Sequence, residues 1–221
     1  MKLKKFIINI LIGNNTFIES RAKYKSTILR AQMALVALIV FALYIAIDAL
    51  SGVSSTTIFY LFGISVSTIC FFLNRQAYYQ STNILLLITA NFLAYIFASA
   101  DTYRAGTYIY LIVCCLLAFA LYGYTYRIVA ILFCFVSAGL FLLAYVYEVK
   151  ILILTPEEQK LMYSEEYVRL SFITNFLIAL VLCSLIFHFL ISINFYSEAE
   201  ILVKNDLLLK TNQELDRFVY S

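Results

Sequence analysis

The chain has 221 residues, 63% apolar and 13% charged, with a formal net charge of +3 and a mean hydropathy of +0.90. Soluble domains are about 45–50% apolar, so this chain has too little polar surface to cover itself and takes lipid as its solvent. The pattern argues against a disulfide scaffold and a nucleic-acid binder: Cys70, Cys114, Cys115, Cys134 and Cys183 sit inside apolar runs, and no basic stripe is interleaved with aromatics on a soluble face.

The chain begins MKLKKFIINILIG, with Lys2, Lys4 and Lys5 ahead of an apolar stretch that is short for a signal peptide and is followed by no small-residue cleavage site. Residues 1–27 therefore read as a basic segment lying on lipid headgroups. Six apolar runs follow, at 28–50, 53–73, 84–100, 108–122, 128–147 and 170–193, the fourth being the shortest. A crossing helix needs about 20 residues. The runs are continuously apolar rather than alternating, which predicts an all-α polytopic membrane protein of six transmembrane helices and not a barrel. The linkers NRQAYYQ, ADTYRAG and YGYTYR are brief and make successive helices antiparallel neighbours.

Of the 16 Lys and Arg, twelve fall on the N-terminal side of this topology and four on the other. The positive-inside rule then puts both termini in the cytoplasm of a plasma-membrane protein. The one sizeable outer loop spans 148–169. Its TPEE stretch reads as a helix start, with Thr155 as cap, Pro156 in the first helical position and Glu158 completing a capping box. Glu157, Glu158, Glu165 and Glu166 in this loop read as a solvated face rather than a cation site, because no fixed ligand spacing accompanies them.

From Arg169 to Ser221 nothing breaks a helix, so the sixth span is expected to continue into a cytoplasmic rod over 195–221. Ile201, Leu208 and Leu215 recur at seven and fit position d of a heptad; Asn205, Asn212 and Val219 then take position a. Asn at a weakens a coiled coil while fixing a parallel, in-register dimer. The alternative is an amphipathic helix packed on its own chain or on another domain.

The closing NQELDRFVYS resembles the lead-in to the dimerisation helix of two-component sensor histidine kinases, where an N-x-E-L-x-x-F-x-Y-x element runs into S-H-D/E-L-R-x-P-L. Asn212, Glu214, Leu215, Phe218 and Tyr220 match it. The match covers about ten residues and stops before the phosphoacceptor histidine. The resemblance implies a membrane sensor region whose kinase core belongs to a longer parent. ATP and magnesium would be that parent's cofactors and a response regulator its partner. The chain itself carries no P-loop, HExxH, dinucleotide fingerprint or triad pattern.

Ionisable residues in or beside the spans are the candidate sensing groups: Asp48, Asp101, Arg104 and His188. Asp101 and Arg104 are close enough in sequence for an interfacial ion pair. His188, the sole histidine, lies upstream of the rod and is expected to hydrogen-bond a neighbouring helix or to sense pH. Asn91, Asn175 and Ser184 are expected to join helices by hydrogen bonds. The competing functional readings are a small six-span transporter, which would need broken helices and a polar midplane site, and a scaffold that uses its tail to hold a partner.

Overall fold

Lipid cannot satisfy a backbone N–H or C=O, so long apolar runs must close their hydrogen bonds internally, as helix. Proline offers no obstacle, since the single Pro156 sits at a helix start. A computed structural model describes residues 21–123, 126–147 and 149–219. These form seven α-helices and no strand: α1 Arg21–Ser51, α2 Thr57–Arg75, α3 Tyr79–Ala100, α4 Ile109–Tyr122, α5 Arg127–Tyr145, α6 Pro156–Met162 and α7 Glu165–Val219. A 3-10 turn, Tyr103–Ala105, precedes α4.

Five helices contain stretches long and apolar enough to cross a bilayer: Tyr24–Ser51, Thr57–Arg75, Tyr79–Ala100, Arg127–Tyr145 and Glu165–Phe195. The regular structure of the described residues is thus all helical, and the length and apolar character of these helices mark a membrane-embedded protein. The expected fourth span appears as α4, only 14 residues long, or about 21 Å at 1.5 Å per residue.

Packing closes the helices on one another. α1 lies on α2, α2 on α3, and α3 on both α4 and α5. α7 completes the ring against α4 and α1. The main core gathers Leu29, Met33, Leu87, Leu117, Ala118 and Ile186 with their neighbours. Small residues sit where helices meet most closely: Ala31, Ala34, Cys70, Ala118 and Ala130 are fully buried. Gly63 permits one such contact: a Cβ there would meet the Phe41 ring at 2.6 Å, so the ring would have to move. α5 buries only Ala130 and Ser137 and lies at the bundle edge. Large side chains on the outside, including Ile39, Phe72, Leu132 and Phe135, face where lipid belongs.

Two expectations change here. The assignment of 1–27 to a surface segment fails over 21–27: α1 begins at Arg21. Its first turns are held inside the bundle, with Thr27 buried and Lys25 Nζ donating to Ser192 on α7. Residues 1–20, with Lys2, Lys4 and Lys5, lie outside the described residues. Glu158 is not part of a solvated face. It is buried and accepts from the Ser54 and Ser55 backbone N–H groups at 2.8 and 3.0 Å and from both their hydroxyls. The capping box does form, with Thr155 accepting from the Glu158 N–H and Glu158 accepting from the Thr155 N–H. One carboxylate thus both starts α6 and ties it to the turn between α1 and α2. Glu157, Glu165 and Glu166 are exposed.

α7 runs 55 residues without interruption, about 80 Å. Ile201, Leu202, Leu208, Leu215 and Phe218 are all more than half exposed, so the alternative of a helix packed along its own chain is not seen among the described residues.

Candidate functional site

Polar residues inside an apolar bundle must find partners among themselves. They do so at two opposite ends. At the end carrying the starts of α1 and α3, Arg30 is buried. Its Nε donates to Asn74 Oδ1 at 2.9 Å, and its terminal nitrogens donate to Thr27 Oγ1 at 3.1 Å and Asn83 Oδ1 at 3.4 Å. The guanidinium lies 4.5 Å from the Tyr79 ring centroid. Asn74 returns a bond to the Thr27 carbonyl, and Asn83 reaches the Leu121 carbonyl. Each guanidinium nitrogen has a local acceptor, so this cluster locks α1, α2, α3 and α4 together.

The other end has a different chemistry. Asp48, near the end of α1, is fully buried and accepts three hydroxyl hydrogen bonds: Thr56 at 2.6 Å, Tyr60 at 3.0 Å and Tyr167 at 2.9 Å. Asp101, the residue that caps α3, accepts from the Thr107 hydroxyl at 2.5 Å through Oδ2. Its Oδ1 is sealed from solvent and has no hydrogen-bond partner. Burial pushes the Asp101 carboxyl up to about 7; nearby Asp48 adds to this, and the Thr107 hydroxyl opposes it.

Thr107 also belongs to a directed chain of hydrogen bonds. The Tyr44 hydroxyl donates to Asn175 Oδ1, and the Tyr110 hydroxyl lies 3.2 Å from Tyr44, leaving Tyr110 as donor. Asn175 Nδ2 donates to the Ala105 carbonyl at 2.7 Å and lies 3.5 Å from Thr107 Oγ1. The chain Tyr110, Tyr44, Asn175, Thr107 therefore passes its donors one way, toward Asp101. It joins α1, α4, α7 and the turn after α3.

Under this polar cap lies a cavity of about 160 Å³, lined by Tyr44, Tyr60, Phe97, Asp101, Thr107 and Tyr110, with Met33, Val40, Leu86, Leu93 and Leu117 among its apolar walls. Tyr44 and Phe97 both stack on Tyr60, with centroids at 5.7 and 4.7 Å. α7 contributes Tyr167, Ser171, Asn175 and Leu182 to the lining. A cleft on the other side of Asp101 is lined by Thr102, Tyr103, Lys150 and Tyr163.

Of the four sensing candidates, the structure brings two together. Asp48 and Asp101 share the cap. Arg104 does not join them, and the expected ion pair with Asp101 is absent: the 3-10 turn directs Arg104 outward, where it bonds and stacks on Tyr103. His188 is exposed on α7 and bonds no neighbouring helix among the described residues. Asn91 and Asn175 do join helices, Asn91 through a 2.5 Å bond from Ser137. Ser184 instead bonds its own helix at Leu180. The site residues missing from the sequence reading are Tyr44, Thr56, Tyr60, Thr107, Tyr110 and Tyr167. A signal for some of them existed: Tyr44 and Asp48 are four apart, as are Tyr167, Ser171 and Asn175, which puts each set on one helix face. The rod positions Ile201, Asn205, Leu208, Asn212 and Leu215 are exposed on α7; of the Val219 side chain nothing is described. The chain matches no protein-family model, no curated protein and no solved structure.

Proposed function

We propose that this chain is a transmembrane sensor and signal transducer. In this reading a stimulus acts on the cavity beneath Asp48 and Asp101, and α7 carries the response out of the bilayer. One observation carries it: the helix that supplies Tyr167, Ser171, Asn175 and Leu182 to the cavity continues unbroken to Val219. A shift or rotation at Asn175 then moves the rod, because a helix transmits motion as a rigid element over this length.

The resemblance of 212–220 to sensor histidine kinases supplies the output. Two rods pair in parallel through Ile201, Leu208 and Leu215 at d and Asn205, Asn212 and Val219 at a, and feed a kinase core that binds ATP and magnesium and acts on a response regulator. α4, extended by the turn before it, serves as a sixth crossing, so that both ends of the chain face the cytoplasm. The six-span transporter reading is weaker, since the described spans contain no broken helix.

The test is one of helical phase. The full chain is joined in register, through Ser221, to a dimeric histidine-kinase core, and residues are inserted between Lys204 and Asn205. Two residues turn the rod about 200° and seven about 700°, nearly two full turns. Basal autophosphorylation should shift at least fivefold with two inserted residues and return with seven. Equal activity in all three proteins contradicts a mechanical relay.

A further inference from the structure

We infer that the cavity beneath Asp101 is a binding site for a small protonated amine: one ammonium group on an apolar body of about benzene size. This deepens the sensor reading by naming the class of its stimulus, and it is testable without any output.

Three independent features lead to it. The first is volume. An apolar cavity of about 150 Å³ accepts benzene and is otherwise dry; this one is about 160 Å³. The second is the direction of hydrogen bonding. Thr56, Tyr60 and Tyr167 all donate to Asp48, and the chain from Tyr110 through Tyr44, Asn175 and Thr107 ends by donating to Asp101. A fully buried carboxyl group, Asp48, and a partly buried one, Asp101, thus receive the donors of the cap, apart from the Asn175 bond to the Ala105 carbonyl. Neither forms an ion pair with a Lys or Arg among the described residues. Arg104 faces outward, and Lys150, in the cleft beyond Asp101, lies 3.5 Å from the Tyr163 hydroxyl. The third is the orphan acceptor. Asp101 Oδ1, on a residue that lines the cavity, has neither water access nor a donor. An isolated buried carboxylate is costly, and a cation beside it offsets part of that cost.

With a small turn of the Asp101 carboxyl toward the cavity, an ammonium N–H supplies the missing donor and the missing charge together. Tyr44 and Phe97 line the cavity, and a ring face turned away from Tyr60 favours a cation over a neutral group of the same shape. The body then occupies the space beside Leu86, Leu93 and Leu117. A neutral alcohol supplies the donor without the charge, and a carboxylate ligand is repelled by both Asp48 and Asp101.

The experiment uses the purified full chain in detergent micelles at pH 7.5. It measures saturable binding of benzylamine, benzyl alcohol and benzoate by calorimetry against empty micelles. Benzylamine should bind one per chain, at least tenfold more tightly than benzyl alcohol, and benzoate should not bind. Asp101→Asn should weaken benzylamine at least tenfold while leaving benzyl alcohol within twofold. Should Asp101→Asn fail to fold, Ala90→Leu, on the cavity wall, should abolish binding of both amine and alcohol. Equal affinity for amine and alcohol, or no binding beyond micelle partition, overturns the inference. Because binding is read without a kinase, its failure is distinct from failure of the relay.

Discussion

Asp101 has two oxygens in two different situations, one held by Thr107 and one with nothing. Its carboxyl is raised from an ordinary 3.8 to about 7, chiefly by burial. The folded protein therefore binds this proton more tightly than the unfolded chain does. The stability it contributes is fully present below about pH 3.8 and is lost as pH rises through about 7. Asp48 from α1, Thr107 from the turn before α4, and Lys150 lining the outer cleft are the charged or bonding groups around it. Thermal unfolding in micelles should show a midpoint that falls between about pH 4 and 7 and levels off above, and Asp101→Asn should flatten that slope. An unchanged slope in the variant would place the titration elsewhere. The candidacy of Asp48 and Asp101 was legible in the sequence, because a carboxylate in an apolar run needs a reason. Their tyrosine partners were not, since Tyr60 or Tyr167 looks the same in sequence whether it anchors at an interface or points inward. His188 shows the reverse. It lies thirteen positions after Asn175, about 220° around the helix at 100° per residue, so its separation from the polar face was already written in the spacing.

At the scale of elements, α6 illustrates how a local signal can hide a tertiary one. Threonine, proline and two glutamates announce a helix start, and that start forms as expected. The same pattern does not reveal that Glu158 also receives the Ser54 and Ser55 donors from a turn about a hundred residues earlier. The Ser55 hydroxyl and these N–H groups, with the Thr155 N–H, hold its carboxyl well below the usual range. Glu158→Ala should loosen α6 and the 149–155 segment, at a cost of about 1–2 kcal/mol for the lost hydrogen bonds. Hydrogen exchange should rise at the Ser54, Ser55 and Glu158 amides, whereas Glu157→Ala, one residue away and exposed, should leave them unchanged. Equal exchange in the two variants would show that Glu158 is not the tether. The α4 length is a similar case: composition marks an apolar run over 108–122, but only the turn at Tyr103–Ala105 and the positive-φ Gly106 fix where its helix starts.

The whole molecule divides into a locked end, a cavity end and a rod. The Arg30 cluster pins one end of α1 to α2, α3 and α4. The opposite end holds the cavity and its unsatisfied acceptor, and α7 passes from it into an exposed helix. Helix class and membrane embedding were legible from apolar run length alone. The convergence of the two polar ends was not, because it depends on which faces of five helices meet. Ile201, Leu208 and Leu215 are exposed among the described residues, so the central proposal is that they pair with a second copy. Single cysteines placed along the rod and oxidised in native membranes test it most directly. Ile201→Cys, Leu208→Cys and Leu215→Cys should cross-link efficiently, and Val203→Cys and Lys210→Cys, on the opposite face of the heptad, should cross-link at least fivefold less. Uniform cross-linking at all five positions, or none at any, would contradict a paired rod.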